Sequence, residues 1–121
     1  MTLNSALFKY SPRDTFVYFR TNQREFIIKV GITNNLNRRD SEYSTYPIPT
    51  KYHTTSSTTF VRYIADKNYE EEMKSICRSF GGVNYDANYD GHNNQEWFQF
   101  HDENSFRHAC DSLSGYINSL R

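Results

Sequence analysis

Phe16-Val17-Tyr18-Phe19, then Phe26-Ile27-Ile28-Lys29-Val30-Gly31-Ile32, then Thr33-Asn34-Asn35-Leu36-Asn37-Arg38-Arg39-Asp40-Ser41-Glu42-Tyr43 form the stretch from which the fold can be read. The first two runs are short, β-branched and aromatic, and read as strands. Polar residues 21–25 join them as a turn, so the pair reads as a β-hairpin. Thr33 or Asn34 can cap a helix that runs to about residue 46, where Pro47 and Pro49 stop it. Leu36, Arg39 and Tyr43 then share one helix face.

The rest of the chain extends the pattern. Residues 60–65 read as a third strand behind the polar segment 54–59. Asn68 with Glu71 resembles a capping box. The helix it opens places Tyr69, Met73, Ile76, Cys77 and Phe80 on one stripe and ends at Gly81-Gly82. Residues 83–95, rich in Asn, Asp, Tyr and Gly, read as a loop, and 96–100 as a short extended piece. A last helix from about residue 104 turns Phe106, Cys110, Leu113, Ile117 and Leu120 inward. The expected architecture is α+β: a small, three-stranded, mainly antiparallel sheet flanked by helices, with a β-β-α-β-α core and a C-terminal helix.

Composition narrows the class. The 121 residues suit one domain. Hydrophobic residues are only 36% of the chain, yet it holds ten Tyr and nine Phe, so large rings supply much of the core. No apolar run approaches the ~20 residues of a membrane helix, and the opening residues lack a secretory pattern. Cys77 and Cys110 are too few for a disulfide framework, so a reducing, intracellular and cytoplasmic setting is expected. Net charge is zero, but residues 1–53 carry eight basic and four acidic side chains while residues 54–121 carry six and ten. A polyanion would meet the first half.

Four features fall in order: Phe16-Val17-Tyr18, Lys29-Val30-Gly31, the run from Gly31 through Thr33 and Leu36 to Arg39 with Tyr43 four further on, and Glu96-Trp97-Phe98. Together they resemble the GIY-YIG nuclease superfamily. The two triplets sit where that family has its own, and the glycine-to-arginine run opens its first helix. Glu96-Trp97-Phe98 looks like the short phage and bacterial branch whose metal-binding Glu precedes Trp-Phe. Phe16 stands in place of the first triplet's Gly, and Lys29 in place of the second triplet's Tyr.

The resemblance implies phosphodiester hydrolysis in DNA with one Mg²⁺ or Mn²⁺ ion. Tyr18 would deprotonate or orient the attacking water, Arg39 would bind the scissile phosphate, and Glu96 would hold the metal. Tyr43 falls where many members have a His or Tyr that aids proton transfer, and Lys29 would set a cation near the phosphate. Gly31, Thr33 and Arg38 complete the set on the substrate side. The residue types suit this chemistry independently. Cations and a metal offset charge on phosphate oxygens, Arg matches a phosphate with a planar fork, and a carboxylate is a hard ligand for Mg²⁺. A homodimer is one route to cutting both strands, and a phage or mobile-element origin, or a place in a larger complex, follows by analogy. Two other readings stay open: a catalytically silent module that binds nucleic acid or protein, and an RNA-cleaving enzyme.

Two further patterns are weaker. Asp86, Asn88, Asp90 and Gly91 copy the start of a calcium loop, but the closing acid, Glu96, comes one residue early. Cys77, His92, His101 and Cys110 lack finger-like spacing, and both cysteines lie on apolar stripes, so core thiols are the expectation.

Overall fold

The computed structural model describes residues 14–85 and 94–121. Its elements in chain order are β1 (Thr15–Asn22), β2 (Ile27–Thr33), α1 (Leu36–Tyr43), β3 (Lys51–Tyr52), β4 (Thr58–Val61), α2 (Tyr69–Ser79), β5 (Val83–Asn84), a 3₁₀ turn (Asn94–Glu96), β6 (Trp97–Gln99) and α3 (Glu103–Ser119). The α+β architecture is as expected. The sheet is larger than three strands. Among the described residues six strands pair, all antiparallel, in the order β3-β1-β2-β6-β5, with β4 also on β1.

Of the three additional strands, β6 lies in the extended piece expected at 96–100, and β3 and β5 are two residues long. Such pieces carry no period of their own, and their pairing is set by neighbours. β3 and β4 lie one after the other along the same edge of β1, at Arg20–Thr21 and at Thr15–Tyr18. Where residues 53–57 leave that ladder, the Ser57 carbonyl still accepts from the Phe19 N–H at 2.9 Å.

Side-chain alternation divides the sheet into two faces. Val17, Phe19, Ile28, Val30 and Phe98 meet Met73 and Cys77 of α2 and Phe106, Ala109, Cys110, Leu113 and Ile117 of α3. The other face carries Tyr18, Ile27 and Trp97 beneath Tyr43 of α1, with Leu36, Tyr46, Ile48, Tyr52 and Tyr85 around them. Tyr116 of α3 donates to the Glu72 carboxylate of α2 and fastens the two helices.

Element ends depart from the sequence reading for identifiable reasons. The cap of α1 is Asn35, whose Oδ1 accepts from the Arg38 N–H at 3.0 Å. That helix stops at Tyr43, short of residue 46. Ser44 and Thr45 hydroxyls bond back to the Ser41 and Glu42 carbonyls, and Tyr46 precedes a proline. β4 ends at Val61 because Asp14 takes the Tyr63 N–H at 2.7 Å and pairs with Arg62 at 3.4 Å. The Asn68 cap is as read, accepting from the Glu71 N–H at 3.0 Å, and Gly81 closes α2 at φ +90°. The calcium-like pattern, at residues 86–91, lies outside the described residues.

Both cysteines are buried in the helix-covered core, and burial pushes both thiols upward in pKa. His92 lies outside the described residues. Among the described residues no helix is long and apolar enough to cross a membrane.

Leu113 anchors α3 and is fully buried. Leu113→Ala should lower stability by about 2–5 kcal/mol, the usual cost of truncating a packed leucine. Urea unfolding followed by circular dichroism would read it as a lower midpoint with an unchanged slope.

Candidate active site

Period-2 alternation puts Ile27, Lys29, Gly31 and Thr33 of β2 on the face covered by α1, beside Tyr18 and Arg20 of β1 and Trp97 of β6. Register then brings them together. Tyr18 lies opposite Gly31, and Arg20 lies opposite Lys29, which lies opposite Trp97. The Tyr18 ring crosses over Gly31 so closely that a Cβ there would lie 2.6 Å from Tyr18 Oη. The room that the glycine leaves is filled by this ring.

Above the sheet, α1 supplies Arg39 and Tyr43. The Tyr18 and Tyr43 hydroxyls are 2.6 Å apart, and Arg39 Nε points at Tyr18 Oη from 3.5 Å. Arg39 also donates to Glu42 Oε2 at 2.8 Å. Burial opposes its charge, but the Tyr18 and Tyr43 hydroxyls and Glu42 outweigh that and hold the guanidinium above its ordinary pKa. Burial, then the neighbouring Tyr18, pushes the Tyr43 phenol well above the ordinary tyrosine range. Tyr43 therefore keeps its proton at neutral pH.

Beside this trio, Lys29 Nζ donates to Glu96 Oε1 at 2.5 Å and to the Val30 carbonyl at 2.9 Å. Burial lowers the Lys29 pKa and Glu96 opposes that fall, while Arg39 is near enough for its charge to add to the lowering. Glu96 sits at the end of the 3₁₀ turn, directly before Trp97. Its side chain is 14% exposed and that of Lys29 3%.

Tyr18, Lys29, Arg39, Tyr43 and Glu96 are thus in one cluster. Tyr18 has no exposed surface, whereas the Arg39 side chain is 24% exposed and meets solvent. Arg39 lines an open groove of about 430 Å³ with Thr15, Ile32, Thr33, Asn34 and Arg38. Arg38 points outward, 60% exposed, with Glu42 Oε1 at 3.6 Å from its Nε. Thr33 is buried at the groove's inner wall, and its Oγ1 accepts from the Asn35 N–H at 3.1 Å, which sets the entry into α1.

Three further residues at this face, Arg20, Asp40 and Tyr52, belong to none of the sequence motifs. Arg20 is buried and pairs with Asp40 at 3.2 Å. Asp40 also accepts from Tyr52 Oη at 2.8 Å. The available signal was alternation: Arg20 is two residues past Tyr18 on the same strand, so it shares its face.

Among the described residues no group of three or more His, Cys, Asp or Glu could hold a metal ion. Glu96 alone is a sparse donor set. It fits a Mg²⁺ or Mn²⁺ ion that keeps most of its waters and takes other ligands from a phosphate. It does not fit a protein-caged zinc or calcium ion.

Gly31→Ala tests the packing of Tyr18 on the strand. The added methyl has no free volume, so the variant should lose about 1–3 kcal/mol, the range for overpacked cores. Tyrosine fluorescence and near-ultraviolet circular dichroism should show the Tyr18 environment altered below the unfolding transition.

Comparison with known proteins bears on the same residues. The family model of the T5orf172 domain matches residues 15–114, from the first residue of β1 into α3. Among curated proteins and among solved structures nothing matches the chain. A match over so much of the chain settles membership: the chain belongs to the T5orf172 domain family, a phage-associated domain found in nuclease-like proteins.

Proposed function

We propose that this chain is a metal-dependent endonuclease of GIY-YIG type that hydrolyses phosphodiester bonds in DNA. The observation that carries the reading is the convergence on one sheet face of a tyrosine hydroxyl pair, an arginine against it and a lysine–glutamate pair beside it. Membership in a phage-associated, nuclease-like family supports the same class of activity.

Each residue has a role that its surroundings favour. Arg39 is the member that meets solvent, and the groove beside it also presents Arg38. An incoming phosphate would replace Glu42 as the partner of Arg39, and the planar fork would follow charge onto the phosphate's non-bridging oxygens. That exchange would draw Arg39 away from Tyr18 Oη and open the hydroxyl to a water molecule. Tyr43, holding its proton, would donate to Tyr18 and so orient its lone pairs toward that water. Lys29 adds positive charge close behind and keeps Glu96 aimed at the site. Glu96 would hold Mg²⁺ or Mn²⁺, which when bound would supply Lewis-acid stabilisation of the charge that builds on the phosphate oxygens.

Plasmid and oligonucleotide cleavage with Mg²⁺, Mn²⁺ or EDTA tests the reading. Wild type should cut only with the metals, and Arg39→Ala and Glu96→Ala should each lose about 10²–10³-fold in kcat, the scale for removing one transition-state contact. Glu42→Gln should lower the Kd for DNA in a gel shift, because Arg39 no longer exchanges one anion for another. Wild type that binds duplex DNA without cutting it under any metal would overturn the proposal.

One observation favours a second reading. The Lys29 ammonium sits 2.5 Å from Glu96, the residue that would hold the metal, and Tyr18 is sealed from solvent. A catalytically silent binding module would show these features at rest. Binding unchanged by Glu96→Ala, with no turnover in wild type, would support it. Competition between matched DNA and RNA substrates separates the DNA enzyme from an RNA-cleaving one.

A further inference from the structure

The geometry points to Arg20 as a positioning residue: its guanidinium, held between the rings of Tyr43 and Tyr52, fixes where the Tyr43 hydroxyl meets the Tyr18 hydroxyl. The inference rests on reading this face as the nuclease site.

Arg20 is 8% exposed, and each of its three guanidinium nitrogens has a hydrogen-bond partner. Its carbon Cζ lies 4.6 Å from the Tyr43 ring centroid and 4.6 Å from that of Tyr52. Its donors go elsewhere: Nε to Thr50 Oγ1 at 3.0 Å, one terminal nitrogen to the Thr50 carbonyl at 2.6 Å, the other to Asp40 Oδ1 at 3.2 Å. Tyr52 Oη donates to the same Asp40 oxygen at 2.8 Å. Three pieces of chain are tied to one planar cation: β1, helix α1 through Asp40 and Tyr43, and residues 50–52.

Such a clamp controls orientation. A cation within about 6 Å of an aromatic face is attracted to it, and a flat guanidinium restrains the ring it lies against. The Tyr43 ring is also edge-on to Tyr46, 5.1 Å between centroids, and to Tyr18 at 6.2 Å. The hydroxyl at its tip meets Tyr18 at 2.6 Å. A ring free to swing would carry that hydroxyl off the short contact. Lysine keeps the charge, but it has no plane and no fork, so it cannot serve Thr50, Asp40 and the rings together.

Arg20→Lys is the test, because it retains the buried charge that Asp40 requires. Activity is read by single-turnover and steady-state cleavage of a DNA duplex. The variant should lose about 10–100-fold in kcat, the scale of a small misplacement of reacting groups, with KM for DNA little changed. In a Tyr43→Phe background, where the ring remains and the hydroxyl is gone, Arg20→Lys should cost less than about twofold more, since coupled residues are non-additive. An equal loss in both backgrounds would show that Arg20 acts on general stability and would overturn the inference.

An activity-free readout runs beside it. In protein labelled with ¹³C-tyrosine, the two edges of the Tyr43 ring should give separate resonances in wild type and averaged ones in Arg20→Lys, with the exposed Tyr63 ring as an unaffected control. A Tyr43 ring equally restrained in both proteins, or a freed ring with full kcat, would overturn the inference. Wild type inactive under every metal would overturn the nuclease reading, and the ring resonances would still decide whether Arg20 holds Tyr43.

Discussion

Two positive side chains lie directly opposite each other on a buried sheet face. Arg20 and Lys29 are register partners on β1 and β2, both nearly inaccessible to water. Like charges in that relation repel, and burial removes the solvent that would screen them. The arrangement stands because each cation has its own carboxylate, Asp40 from α1 for Arg20 and Glu96 from the turn before β6 for Lys29. Much else follows from this requirement. Helix α1 must lie across the face to deliver Asp40, which brings Arg39 and Tyr43 over Tyr18. The 3₁₀ turn must end where it does to deliver Glu96, which sets Trp97 on β6 beside Lys29. Losing Asp40 would leave the Arg20 charge, which cannot shed its proton, buried without its carboxylate, among the larger single penalties in folding.

The same requirement explains why the fold was largely readable and the site only in part. The hairpin, the stripes of α2 and α3 and the caps at Asn68 and Gly81 express local rules, and each appears at or within a few residues of its expected place. Structure and local pattern part where a side chain from another element decides the outcome. Asp14 capturing the Tyr63 N–H ends β4 early, and no local pattern at residues 60–65 contains that fact. β3 is two residues recruited by the edge of β1.

At the site, ordered motifs drew attention to Tyr18, Lys29, Arg39, Tyr43 and Glu96, and they do cluster. Arg20, Asp40 and Tyr52 belong to no motif. Their part depends on register and on a ring-to-guanidinium geometry that only the assembled face displays. Gly31 differs in another way. Room beside it could have served a ligand or a neighbouring side chain, and only the structure shows the Tyr18 ring filling it.

The buried thiols have a practical side. Cys77 and Cys110 are all the cysteine in the sequence, and both are packed inside the helix-covered core with their thiolate forms suppressed by burial. Maleimides and similar reagents attack thiolates that they can reach, so the native protein should be silent toward them. One cysteine introduced on the outward side of α1 would become a unique chemical handle, with no need to remove the natural pair. A fluorophore or spin label could be set next to Arg39 while the core is left untouched.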